Sequence, residues 1–370
     1  MRFAKRLGPV LALPLLLIAS PGTPQDDKKE KSGPGAADIT PACQTSIKRG
    51  SDWLIKNQNR DGSWGIDGMG APDITCTSLG ALALMAQGNT ERGGPNGDAC
   101  EAVRKALNYV LSKAKKSRGD IAGGETTLIQ SKLGKNVHTF FATVFLTQAY
   151  GLGGAWVGNQ PADEIREAIA KMSDTISKSQ EPDGSWHKET FGALKATAMA
   201  WLALRSARSA GINVGSASSD KTVQFIRKSF NASTGFFDIS GSMSHSYQRI
   251  YNSSSSLRIL FGMGEGQSTE AQKGARAIIK ELKEGAMASQ YLSVEGEDYL
   301  TAALMSQALI QDRAGLWKEW FPFIREALIK KQSAEGTWTG TACISGRMFA
   351  TSCSLICMQV PYRQLPIQEE

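Results

Sequence analysis

Gln58-Asn59-Arg60-Asp61-Gly62-Ser63-Trp64 returns as Gln180-Glu181-Pro182-Asp183-Gly184-Ser185-Trp186 and again as Gln332-Ser333-Ala334-Glu335-Gly336-Thr337-Trp338. All three read Gln-x-x-x-Gly-Ser/Thr-Trp, and Asn231-Ala232-Ser233-Thr234-Gly235-Phe236-Phe237 is a weaker fourth copy. Successive copies begin 122, 51 and 101 residues apart, which fits six units with two degenerate turns. Self-similarity at such a period is the mark of a repeat architecture. In each copy Gly permits a sharp turn, the Gln amide can satisfy free helix-end groups, and Trp supplies a large buried area.

Working outward from the turns, each one ends an amphipathic helix and precedes a second helix that is more apolar and richer in small residues. The pattern predicts first helices over 42–57, 99–114, 163–179, 219–230, 269–284 and 319–331. Second helices are predicted over 74–87, 137–150, 191–209, 246–261, 298–311 and 347–359, with almost no strand. Stretches such as Leu79-Gly80-Ala81-Leu82-Ala83-Leu84-Met85 are apolar nearly all round, so these helices must form an inner ring covered by the amphipathic ones. An open superhelix of helix pairs shares the same repeat logic and is the competing architecture.

The three turns resemble the QW repeat of the prenyltransferase and squalene-cyclase repeat superfamily, and the resemblance covers nearly all of the chain after residue 40. It implies an all-α fold, an α/α toroid of six hairpins over residues 40–370, closed into a ring. It also implies that Gln58, Trp64, Gln180, Trp186, Gln332 and Trp338 tie turns to neighbouring outer helices and take no part in chemistry. The superfamily's chemistries find no match by motif. There is no Asp-x-Asp-Asp run of the class II terpene cyclases and no Cys-Gly-Glu-Gln run of thioester domains. The zinc set of protein prenyltransferase β-subunits lacks its His, because the last inner helix opens Arg347-Met348-Phe349-Ala350-Thr351.

At the N-terminus Arg2, Lys5 and Arg6 precede an apolar run from Pro9 to Ala19 and then Ser20, Pro21 and Gly22, the order of a secretory signal. The expected layout is a signal peptide over 1–22, a polar linker over 23–39 and an exported toroid, secreted or periplasmic. Membrane contact is expected only if the N-terminal segment stays uncleaved. Of the 370 residues 41% are hydrophobic and 21% charged, enough for a sizeable core. Arg2, Lys5 and Arg6 carry three of the seven net positive charges, and no basic stripe with interleaved aromatics follows, so nucleic acid is not an expected partner.

Parallel inner helices point their N-termini at one mouth of the ring, where positive dipole and free N–H groups collect. Reading the helix starts gives His138, Lys195, His245, Tyr247, Arg249, Tyr251, Asp298, Tyr299 and Arg347 as ligand-binding candidates. They are expected within ~15 Å of the mouth's centre, given inner helices ~8–10 Å apart. His138, His245 and Asp298 have zinc-ligand character but no close-spaced pair, so no metal and no cofactor is expected. The expected function is binding of a hydrophobic small molecule or a peptide in the central cavity, without catalysis. The alternative is a divergent isoprenoid or lipid enzyme with a non-standard acid or metal site. Six cysteines in an exported chain permit disulfides, and helix polarity favours Cys43–Cys100 and a ring-closing bond from Cys76 to Cys343 or Cys353.

Overall fold

The computed structural model describes residues 35–121, 127–153, 156–157, 160–186, 192–214, 217–239 and 246–366. The signal-peptide reading lies outside these residues, as does nearly all of the linker. The outer helices are α1 (Pro41–Lys56), α3 (Gly97–Lys116), α6 (Ala162–Lys178), α8 (Ala217–Lys228), α10 (Thr269–Glu284) and α12 (Leu316–Lys331). The inner ones are α2 (Ile74–Met85), α5 (Val137–Gly153), α7 (Ala193–Ser209), α9 (Ser246–Gly262), α11 (Glu297–Leu309) and α13 (Arg347–Gln359). Each inner helix packs on the next, and α13 returns to α2, so the ring is closed and the open superhelix is excluded.

Sequence decides which layer a helix joins. Every residue of α2 and of α11 is buried, as their all-round apolar character requires. The buried set of α10 is Ala271, Gly274, Ala275, Ile278, Ile279 and Leu282, a single stripe at helical spacing. Thr40, Asn96 and Ser268 cap outer helices with side-chain oxygens, and Asp73 caps α2.

The repeated turns are the joints between layers. Trp64, Trp186 and Trp338 donate their indole N–H to the carbonyls of Leu54, Ile176 and Leu328 at 2.8–2.9 Å. Gln58 reaches the carbonyl of Ala102 on α3, Gln180 the hydroxyl of Thr222 on α8, and Gln332 the carbonyl of Ser46 on α1. Gly62, Gly184 and Gly336 have φ of 90°, 94° and 90°. A Cβ there would lie 2.2–2.6 Å from the carbonyl oxygens of Lys105, Lys221 and Arg49, so only Gly allows the turn to touch the next outer helix.

Three features depart from the expectation. A short helix, α4 (Leu128–Leu133), and two hairpins, β1 (Trp64–Gly65) with β2 (Gly68–Asp73) and β3 (Trp156–Val157) with β4 (Gln160–Pro161), occupy the longer connections. Asp38 and Ile39, assigned to the linker, belong to the fold: Ile39 is buried and Trp317 of α12 donates to Asp38. All six cysteines are free thiols, so neither a Cys43–Cys100 bond nor a bond from Cys76 to Cys343 or Cys353 is formed. Among the described residues, no helix is long and apolar enough to cross a membrane.

Candidate functional site

The centre of the ring is filled. Leu82, Phe141, Met199, Leu300 and Ile356 from five inner helices meet Leu365 of the C-terminal segment around a cavity of about 40 Å³. That holds roughly one water, whereas ligand pockets run to about 300–1,000 Å³. The central cavity therefore has no room for the hydrophobic ligand or peptide expected there, because the inner helices' own apolar side chains occupy it.

Space opens instead at the mouth, in a recess of about 510 Å³ lined by Lys132, Tyr247, Gln248, Tyr251, Ala286, Met287, Gln290, Glu295, Glu297 and Cys343. Two connections build its wall. Residues before α11 and before α13 run side by side, with Thr341 and Ala342 N–H bonded to the Val294 carbonyl at 2.8 and 2.9 Å. A Cβ on Gly296 would lie 1.5 Å from the Ile344 carbonyl oxygen, so this close approach demands glycine. The clasp brings donor atoms of Glu295, Glu297 and Cys343 within 4.8 Å of one another. Cys343 is a non-glycine residue at φ 54°, a backbone state that persists only where the surroundings enforce it.

Charge around the cluster is partly balanced. Glu297 is buried and ion-paired with Lys195, itself 1% exposed, whose Nζ sits 5.0 Å from the centre of the Tyr251 ring. Glu295 keeps one carboxylate oxygen, Oε2, buried with no hydrogen-bond partner. Burial and the adjoining Glu295 push the Cys343 thiol up to about 11. Behind the recess Tyr251 donates to Asp298 Oδ1 at 2.9 Å, and the Leu292 N–H donates to Oδ2 at 2.8 Å. Burial lifts the Asp298 carboxyl to about 7 despite those two hydrogen bonds, helped by Glu295 and Glu297 nearby.

Of the nine residues read from helix polarity, Tyr247 and Tyr251 line the recess, and Lys195 and Asp298 stand immediately behind it. Tyr299, Arg347, Arg249 and His138 do not line it. Tyr299 turns its hydroxyl to the carbonyls of Leu292 and Thr339, a structural tie. Arg347 lies over Trp53 of outer helix α1, 5.6 Å from the ring centre, and bonds Glu335. Arg249 is half-buried and does not line the recess. His138 is buried with α2: Nδ1 meets Thr75 Oγ1 at 2.8 Å and Nε2 lies 3.8 Å from Asp73. Burial lowers its imidazole pKa against the pull of Asp73 and Asp120. His245 lies outside the described residues.

The sequence reading passed over Glu295 and Glu297 and took Cys343 at the mouth only as a disulfide partner. The available signal was two carboxylates two apart at the start of one inner helix, with a thiol before the next.

Two concentric helical rings define an α/α toroid, and the solved structures similar to this chain include enzymes of that architecture. The type II terpene cyclase MstE from Scytonema has 14% identity and a TM-score of 0.53, over 88% of this chain and 99% of its own. A variant of it in complex with its substrate, geranylgeranyl dihydroxybenzoate, gives 0.55 at 14% identity, over 88% and 98%. An α-1,6-mannanase from Salegentibacter, inactivated at two consecutive aspartates and in complex with α-1,6-mannotriose, has 9% identity and a TM-score of 0.58, over 87% and 99%. At these identities the likeness is one of fold. No family model matches the chain, and no curated protein sequence matches it.

Proposed function

We propose that the chain is a divergent, exported member of the prenyltransferase and squalene-cyclase repeat superfamily. Its work is enzymatic, done at the mouth recess on an amphipathic, isoprenoid- or lipid-type small molecule. Glu295, Glu297 and Cys343 hold a divalent cation there. The observation that carries this reading is the convergence of three donor atoms within 4.8 Å on the wall of a 510 Å³ recess. Mixed carboxylate and thiolate ligands suit zinc, and three protein ligands leave a position for substrate. Such a cation would supply Lewis-acid polarisation or an activated water.

The chain's own groups have separable tasks. Tyr247, Tyr251, Ala286 and Met287 offer apolar surface, while Lys132 and Gln290 offer hydrogen bonds to a polar head. Tyr251 and Asp298 hold a proton behind the recess. Because the ring centre is filled, a long prenyl chain of the kind bound by the Scytonema cyclase cannot be wrapped inside it. The chemistry is therefore assigned to the mouth.

Cobalt substitution tests the reading. Full-length protein loaded with Co²⁺ should show a thiolate-to-cobalt charge-transfer band with one ion per chain, lost in Cys343→Ala and weakened in Glu297→Gln. A chain that binds no Co²⁺ or Zn²⁺ sinks the proposal.

One observation favours a second reading, hydrolysis of a glycan. Glu297 and Asp298 are consecutive carboxyls in different environments, one paired with Lys195 and one carried to about 7, as acid and base roles require. Release of mannose from α-1,6-mannotriose by metal-free protein, abolished in Asp298→Asn, would select it.

A further inference from the structure

A second recess, of about 720 Å³, lies where the inner helices end, away from the mouth. Arg205 of α7, Arg313 after α11 and Arg363 after α13 all line it. The acid among them, Asp312, is already engaged: Oδ1 accepts from Gln272 Nε2 at 3.0 Å and Oδ2 from the Leu316 N–H at 2.8 Å. We propose that this recess binds a phosphate-bearing small molecule, with Arg205, Arg313 and Arg363 as its anion ligands.

Arg205 is held in place before any ligand arrives. Its guanidinium donates to the Gly262 carbonyl and stacks 5.4 Å from the Trp201 ring centre, and Arg258 lies 5.9 Å from the same ring. A Cβ on Gly262 would fall 2.4 Å from Trp201 and 2.8 Å from Arg258, so the stack is built around a glycine. By covering the Gly262 carbonyl, Arg205 also masks part of the negative end of α9, which would otherwise repel an anion.

The connection itself fits an anion. Gly262-Met263-Gly264-Glu265-Gly266-Gln267-Ser268 places glycines at alternate positions and runs into the N-terminus of α10, so backbone can approach a ligand closely. Its one acid, Glu265, is ion-paired with Arg227 and does not line the recess. Gln311, which does line it, has Nε2 buried with no acceptor. Guanidinium forks match phosphate oxygens two at a time. The volume exceeds that of an inorganic ion, and Phe261, Met263 and Ile310 offer apolar surface to an organic ester group.

Calorimetry on the full chain with inorganic diphosphate, and flotation with vesicles containing phosphatidic acid, separate a free phosphorylated molecule from a lipid headgroup. Arg313 and Arg363 are exposed, so the Arg313→Ala/Arg363→Ala chain should fold normally. We expect its diphosphate affinity to fall at least about tenfold, with Arg205→Lys also weakening binding. Vesicle binding lost in the double variant, with no binding of diphosphate, assigns the same site to a headgroup. Failure to bind either probe, or binding undiminished in the double variant, overturns the proposal.

Discussion

Burial carries the Asp298 carboxyl to about 7, well above the solvated range, and that shift has a definite consequence for stability. A carboxyl whose folded pKa is raised favours the native state while protonated, so its contribution is full below about pH 4 and is lost as pH rises through about 7. Asp298→Asn cannot ionise. The difference in melting temperature between wild type and Asp298→Asn should therefore shrink, or change sign, from pH 5 to pH 8; a constant gap would show that the carboxyl titrates normally. The same residue shows what sequence could tell at this scale. Helix polarity fixes height, so Asp298 and Tyr299 were both placed at the mouth. Facing is set by the 100° step between successive helical residues, which points Asp298 at Tyr251 and Tyr299 at two backbone carbonyls. Arg347 failed for the same reason: its helix start lies on the mouth, but its side chain lies over outer helix α1.

Between elements, the turn motif has a partner that its own seven residues do not reveal. The N–H of Trp64, Trp186 and Trp338 each donates to a threonine of the following inner helix, Thr77, Thr197 and Thr351, at 3.0–3.1 Å. In the degenerate copy Phe237 N–H donates to Ser253 at 2.8 Å. The hydroxyl thus locks the turn to the inner ring, while Gln locks it to the outer one. Thr197 is fully buried, so Thr197→Val keeps the shape and leaves the Trp186 N–H with no acceptor. Urea unfolding should show a loss of about 1–3 kcal/mol, with Thr197→Ser restoring most of it. A loss in Thr197→Ser with none in Thr197→Val would mean that the methyl group, and not the hydroxyl, matters. Helix pairs were legible because periodicity is local. The β1–β2 hairpin was not, since it depends on Asn59 bonding both backbone groups of Gly70 across the connection.

On the scale of the whole molecule, contact between units is what joins residues distant in sequence, and it also explains what the sequence concealed. Glu295, Glu297 and Cys343 are neighbours only because residues 294–296 and 341–344 pair between successive units. No local pattern announces that pairing. The ring's own seam is clearer. Gln332 bonds the Ser46 carbonyl at 2.9 Å and accepts from the Ser46 hydroxyl at 2.8 Å, while Arg49 donates to the carbonyls of Ser333 and Ala334 at 2.6 and 2.9 Å. The last turn therefore grips the first outer helix as the earlier turns grip α3 and α8. An open array would expose its terminal units and let them unfold first. Hydrogen exchange should instead find the amides of α1 and α13 as protected as those of α7, opening in one cooperative step. Gly336→Ala places a Cβ 2.6 Å from the Arg49 carbonyl and strains a φ of 90°, which should cost at least about 1–2 kcal/mol. If closure is the source of protection, that substitution lowers it in α1, α12 and α13 and in α6 and α7 by the same amount. Early exchange of α1 alone in the wild-type chain would show that the seam is closed in geometry and open in energy.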